Sequence, residues 1–164
     1  MFGKLKETLG IKDKKTTILA PIEGYACPLR EVNDPTFSQE ILGKGIAIKP
    51  SKGRVVSPAD GTVALVFETK HAVSIIGGYG EEILIHIGLD TVNLKGKYFT
   101  SHVKAGDKVK AGDLLVEFDM EQIKEAGYDI ITPIIICNSG EYKEISAIAS
   151  KEVKELDDII NIKK

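Results

Sequence analysis

Three histidines, His71, His86 and His102, are the side chains of this sequence best suited to carry a proton or a group at neutral pH. Two of them lie in β-rich runs on either side of a glycine-rich turn. The first run is Phe67-Glu68-Thr69-Lys70-His71-Ala72-Val73-Ser74-Ile75-Ile76, the turn is Gly77-Gly78-Tyr79-Gly80, and the second run is Glu81-Glu82-Ile83-Leu84-Ile85-His86-Ile87-Gly88. A hairpin with a four-residue loop over 77–80 pairs Ile76 with Glu81 and sets His71 directly opposite His86. Opposed side chains on one face have Cβ atoms about 4.5–5.5 Å apart, so the two imidazoles would touch. A slip of one residue would send them to opposite faces.

Such a pair admits three chemistries. One ring nitrogen can act as a nucleophile while the other ring orients what becomes attached; both rings can bind a metal; or both can be ordinary half-buried residues. A histidine nucleophile needs little activation, because a side-chain pKa near 6.5 leaves most of the population neutral with a free lone pair. Ile85, Ile87 and Leu84 would restrict water that could hydrolyse a phosphohistidine. Thr69, two residues from His71 on the same predicted face, could donate a hydrogen bond to a phosphoryl oxygen. Metal binding is poorly provided for. Zinc takes three or four protein ligands, and beyond the pair only Asp90 and the distant His102 are available, with no H-x-x-x-H or C-x-x-C element. No cofactor is expected, and zinc at His71 and His86 enters only as an adventitious or interface ion.

The elements that must position the pair are short. From residue 17 to 148, β-rich runs alternate with glycine and proline turns at the spacing of an all-β sandwich or barrel. The pattern predicts strands over 17–20, 46–49, 62–68, 72–76, 82–88, 114–118 and 134–137, a helix over 120–126 and a fainter helical periodicity over 152–160. Two echoes recur: Pro21-Ile22-Glu23-Gly24 returns as Pro58-Ala59-Asp60-Gly61, and Lys104-Ala105-Gly106-Asp107 as Lys110-Ala111-Gly112-Asp113. Similar turns used twice suggest a duplicated sheet motif.

The chain has 164 residues and a formal net charge of −2, which suits one domain with its own core and no nucleic-acid partner. The charge is segregated. Residues 1–15 carry five lysines against Glu7 and Asp13, leaving +3 there and −5 on the rest. Phe2, Leu5 and Leu9 are spaced as on a short amphipathic helix, so residues 1–15 read as a basic leader whose residues 1–9 could touch a membrane surface, and residues 16–164 as a single domain. No apolar run reaches the roughly 20 residues of a membrane-spanning helix. The expected compartment is the cytoplasm, where Cys27 and Cys137 stay reduced, with Cys137 packed in the core.

At several of these motifs the sequence closely resembles the glucose-class enzyme IIA proteins of the bacterial phosphoenolpyruvate-dependent sugar phosphotransferase system. The matching elements are Gly45-Ile46-Ala47-Ile48-Lys49-Pro50, Pro58-Ala59-Asp60-Gly61-Thr62-Val63, Phe67-Glu68-Thr69-Lys70-His71-Ala72, and His86-Ile87-Gly88-Leu89-Asp90-Thr91-Val92 with Leu94-Lys95-Gly96. The resemblance implies an antiparallel β-sandwich in which His86 accepts a phosphoryl group on Nε2 and His71 is its partner. It implies a donor, the phosphohistidine of the carrier protein HPr, and an acceptor, a cysteine of a glucose-type permease's IIB domain. It also implies a docking patch of Phe37, Ile41, Leu42, Phe67 and Leu84 edged by Asp34 and Asp90; Ile41, Leu42 and Phe67 could equally be plain core. Pro35 and Thr36 depart from the family's apolar pattern.

With only Arg30 and Arg54 in the chain, both outside the hairpin, a cation to stabilise a phosphoryl group should come from the partner, or the phosphoryl oxygens should rest on backbone N–H groups and the His71 and Thr69 donors. Two rival readings remain. A lysostaphin-type zinc endopeptidase would use His86 and Asp90 as a His-x-x-x-Asp element but lacks its His-x-His. A biotinyl or lipoyl carrier shares the Gly-Asp turns at 106–113 but needs a lysine that 116–121 does not offer.

Overall fold

The computed structural model describes residues 15–164, so the leader over 1–9 and its membrane contact lie outside the described residues. Lys15, at the end of the predicted leader, opens the first strand. The strands are β1 (Lys15–Leu19), β2 (Gly24–Pro28), β3 (Lys44–Pro50), β4 (Arg54–Val56), β5 (Gly61–Val66), β6 (Ala72–Gly77), β7 (Glu82–His86) and β8 (Phe99–Ser101). There follow β9 (Lys108–Val109), β10 (Leu114–Phe118), β11 (Thr132–Ile136), β12 (Glu144–Ala147), β13 (Lys151–Val153) and β14 (Asp158–Lys163). Two short helices, α1 (Pro35–Ser38) and α2 (Met120–Glu125), complete the described fold.

An eight-stranded sheet in the order β9-β5-β6-β7-β11-β3-β2-β13 is joined by two three-stranded sheets, β4-β10-β8 and β12-β14-β1. The pairings are antiparallel, and the expected antiparallel β-sandwich is what forms. Ile46, Ile48, Ile75, Ile83, Ile85, Ile134 and Ile136 on one face of the large sheet share a buried cluster with Ile18, Val55, Phe99, Leu115, Phe118, Ile160 and Ile162 of the small sheets. Branched side chains suit this pleated, half-covered geometry, and each fully buried isoleucine contributes about 1.5–3 kcal/mol.

The opposite face of the large sheet is covered only in part. There Cys27, Ala47 and Ile135 pack with Leu29, Val32, Phe37, Leu89 and Ile131 in a second cluster, with Leu84 against it. Strand alternation explains the division: Ile83 and Ile85 of β7 point into the main core, while Leu84 and His86 face outward. Asp34 starts the covering helix as its N-cap, its Oδ1 accepting the Thr36 N–H at 3.0 Å, and Pro35 sits at the first helical position. Pro35 and Thr36 thus both serve the cap.

The β6–β7 hairpin corrects the predicted register by one residue. Gly77 N–H bonds Glu81 O at 2.9 Å, so the loop is the three residues 78–80, with Gly80 in the left-handed region at φ +88°. Ala72, not His71, therefore stands opposite His86. His71 instead precedes the strand, in a turn closed by Lys70 N–H to Phe67 O at 2.7 Å with Lys70 at φ +61°. Alternation does not govern its direction there, and the two rings meet despite the slip.

Three other expectations change. The periodicity over 152–160 is strand, turn and strand: the Asp157 carboxylate accepts the Lys154 N–H at 2.8 Å and Leu156 takes φ +73°. The same device closes the two echoed turns, Asp107 onto Lys104 and Asp113 onto Lys110. Cys137 is exposed rather than core, while Cys27 is buried, and both are free thiols. Finally, β2, β4, β8, β9, β12, β13 and β14 were not among the predicted strands.

Candidate functional site

His86 closes β7 on the outward face, half-buried beside the covering segment, with the Phe37 ring centroid 5.0 Å from its own. Its Nδ1 lies 2.8 Å from the Gly88 carbonyl oxygen. A carbonyl can only accept, so Nδ1 carries the proton and the Nε2 lone pair is left free. Gly88 can serve because it occupies φ +79°, where a Cβ would stand 2.6 Å from Thr91 Cγ2 and 2.8 Å from Asp129 O. Burial pushes the His86 pKa down, and the Gly88 bond, Asp34 and Asp90 partly oppose that shift.

His71 is 3 % exposed, and its Nδ1 lies 2.6 Å from Thr69 Oγ1. Burial first, and the neighbouring His86 second, lower its pKa to about 4. The two imidazoles are edge-on, with centroids 4.8 Å apart and planes at 84°. Phe67 meets the other side of His71 at 5.3 Å. At neutral pH the pair is therefore two uncharged rings in contact. Thr69 stands beside His71 with its hydroxyl against that ring, where it can fix the ring's tautomer.

Around His86 opens a depression of about 300 Å³ lined by Asp34, Thr36, Phe37, Leu42, Phe67, Leu84, His86, Asp90 and Val92. Six of the seven predicted patch residues are in this lining; Ile41 is not, although at 65 % it is the most exposed large apolar side chain described. Leu42, Phe67 and Val92 are exposed at 40, 36 and 47 %, whereas Phe37 is buried at 4 % and acts as the floor. Thr36 and Val92 were missed. Val92 is turned outward beside Thr91, whose side chain is buried in the 3-10 segment Thr91–Leu94. Among the described residues no lysine or arginine lines the depression, and Arg54 is paired with Glu155 at 2.8 Å. His102 bonds Glu117 at 2.8 Å on the small sheet and takes no part.

Among the described residues, no group of three or more His, Cys, Asp or Glu side chains is placed to hold a metal ion, and no helix is long and apolar enough to cross a membrane. The segment 116–121 passes from β10 into α2 and presents no hairpin lysine.

Fold and site together define an antiparallel β-sandwich that exposes one free imidazole nitrogen, backed by a second neutral ring, on an apolar and acid-edged surface. Comparison with known proteins then identifies its family. The phosphoenolpyruvate-dependent sugar phosphotransferase system EIIA 1 family matches residues 16–142. The beta-glucoside-specific EIIBCA component of Bacillus subtilis is 54 % identical over 140 residues, 82 % of this chain but 23 % of that relative. The glucose-specific EIIA component of Oceanobacillus iheyensis is 50 % identical over 153 residues, 93 % of both chains. The solved structure of glucose permease IIA from Mycoplasma capricolum superposes with a TM-score of 0.83 at 39 % identity, covering 90 % of this chain and 95 % of that one. The chain belongs to the EIIA 1 family, a phosphotransferase component of the sugar phosphotransferase system.

Proposed function

We propose that His86 Nε2 accepts a phosphoryl group from the phosphohistidine of HPr and passes it to a cysteine of the IIB domain of a glucose-type permease. The observation that carries this reading is the 2.8 Å bond from His86 Nδ1 to the Gly88 carbonyl, which leaves Nε2 as the unprotonated nitrogen. In the accepting step the donor's P–N bond breaks as the Nε2–P bond forms, and the donor ring, protonated on its other nitrogen, leaves as neutral imidazole. Nδ1 keeps its proton, so positive charge develops on the His86 ring, where the Gly88 carbonyl dipole, Asp34 and Asp90 favour it.

His71 has the complementary task. When the Thr69 hydroxyl donates to its Nδ1, the ring proton sits on Nε2, available to a phosphoryl oxygen. With no cationic side chain among the described residues of the depression, the remaining stabilisation comes from the partner's basic groups, drawn to the acidic edge. The IIB acceptor is supported by the EIIBCA relatives, whose names join the A component to B and C. No cofactor enters either step, and the reaction is placed in the cytoplasm.

The protein incubated with phosphoenolpyruvate, enzyme I and HPr should gain one acid-labile, base-stable phosphoryl adduct by intact mass, and His86→Ala should gain none. An adduct that survives His86→Ala would sink the proposal.

A further inference from the structure

The three peptide units after His86 are each held by a different part of the molecule. The Ile87 N–H bonds His71 O at 2.7 Å, so the backbone of one histidine's loop is tied to the other histidine. The Ile87 carbonyl accepts from Thr91 Oγ1, a side chain with 0 % exposure. The Leu89 N–H bonds Asp129 O at 3.0 Å, and Asp129 is itself locked by accepting the Ile131 N–H at 2.9 Å. Gly88 is the joint between the last two units, and its carbonyl is the acceptor for His86 Nδ1.

A glycine joint is intrinsically free to turn, and this one sits at φ +79°. The side chain that restrains it is Thr91, through its hydroxyl, with the methyl packed alongside. Its hydroxyl fixes the 87–88 peptide, while its Cγ2 methyl fills the space where a Gly88 Cβ would lie, 2.6 Å away. Loss of the hydroxyl would leave the buried Ile87 carbonyl without that partner, and the 87–88 peptide would rotate to find another. That rotation acts on the 88–89 peptide through φ of Gly88, leaving the Leu89 N–H bond to Asp129 O to hold the Gly88 carbonyl on the ring against it. The Nδ1 bond would weaken, and the tautomer with the proton on Nε2 would gain population.

We infer that Thr91 is a positioning residue for phosphoryl transfer, its hydroxyl holding the Gly88 joint so that His86 keeps its proton on Nδ1 and its lone pair on Nε2. The catalytic consequence rests on the phosphocarrier reading; the effect on the tautomer does not.

The test uses the full ¹⁵N-labelled chain without phosphate, at pH 7.5, with the His86 ring nitrogens read by long-range ¹H–¹⁵N NMR. Wild type should show a pyrrole-type Nδ1 and a pyridine-type Nε2. Thr91→Val keeps the methyl packing and removes the hydroxyl, so both shifts should move toward intermediate values, a change of roughly fivefold in the tautomer ratio for one hydrogen bond. Thr91→Ser keeps the hydroxyl and loses the methyl; it should melt lower than wild type yet retain the wild-type tautomer, a separation that a merely structural role would not give. Phosphorylation by phosphoramidate, which needs no protein docking, should slow about fivefold in Thr91→Val and be restored in Thr91→Ser, as the tautomer ratio dictates. Unchanged ring shifts in Thr91→Val, or an equal displacement in Thr91→Ser, would overturn the inference. Should Thr91→Val fail to fold, Thr91→Ala takes its place under the same criterion. A wild-type chain that takes no phosphoryl group, yet shows the Thr91-dependent tautomer, would defeat the phosphocarrier reading and leave the positioning role standing.

Discussion

The two ends of the β6–β7 hairpin each withdraw ionisable groups from water, and they do so with opposite chemical results. At the turn end, Glu81 is 2 % exposed; its carboxylate accepts the Tyr79 N–H at 2.9 Å and lies so close to Gly77 that a Cβ there would stand 2.3 Å from Glu81 Cδ. Burial raises the Glu81 pKa. At the open end, burial lowers the pKa of both His71 and His86. Each group is driven toward its neutral form, as desolvation requires. Both ends border a depression, of about 460 Å³ at Glu81 and about 300 Å³ at His86, but only at the open end does neutrality leave a nucleophilic nitrogen, whereas a protonated carboxyl is a poor nucleophile. Burial of a titratable group is therefore not what makes this site; the free Nε2 is.

The strongest way to break that contrast is to remove the second ring. His71→Gln keeps a hydrogen-bonding side chain but not an imidazole, so His86 should still take the phosphoryl group while onward transfer to IIB falls on the order of 100-fold, the usual effect of losing one transition-state donor. Full retention of transfer would detach His71 from the chemistry.

The ends should next separate by pH. A histidine whose folded pKa lies below its unfolded value contributes nothing adverse above pH 6.5, and the fold loses stability as the unfolded chain takes up protons below that point. For His71, between 6.5 and about 4, the loss is on the order of 3 kcal/mol, and His86 adds to it in the same direction. His71→Gln should flatten this part of the stability curve measured by denaturant titration. A variant curve as steep as wild type across this window would contradict the assignment.

The turn end has the reverse sign and the smaller effect. A carboxyl whose folded pKa is raised costs stability as pH climbs past the unfolded carboxylate range and through the raised value. Glu81→Gln can still accept the Tyr79 N–H without a charge to bury, so its melting temperature should exceed wild type by more at pH 8 than at pH 4.5. An equal difference at both pH values would show that the carboxyl's ionisation has no part in it.

Much of the site was legible because its residues are close in sequence and few in type. Three histidines and one glycine turn were enough to bring His71 and His86 together, although the register behind that step was wrong by one. The error lay in loop chemistry: Gly77 could either belong to the loop or close it, and only Gly80's left-handed backbone decides for a three-residue loop. That the rings still meet depends on the turn before β6, where no alternation rule applies. Depth was harder to read than position. Phe37, Ile41, Leu42 and Phe67 are all large and apolar, yet Phe37 is floor and the others are surface, because the large sheet's outer face is only half covered. Cys137 was misread for the same reason, as it follows three buried isoleucines and points out. The short edge strands escaped notice because two to four residues carry too little periodicity, and the span over 152–160 mimicked a helix through the spacing of Val153, Leu156 and Ile160.

The central claim concerns one atom, and the most direct measurement is the site of attachment in the HPr-phosphorylated chain, read by ¹⁵N NMR of the histidine rings. Phosphorus bonded to His86 Nε2, with the Nδ1 proton retained, is the expected result. Phosphorus on His86 Nδ1, or on either nitrogen of His71, would contradict the account.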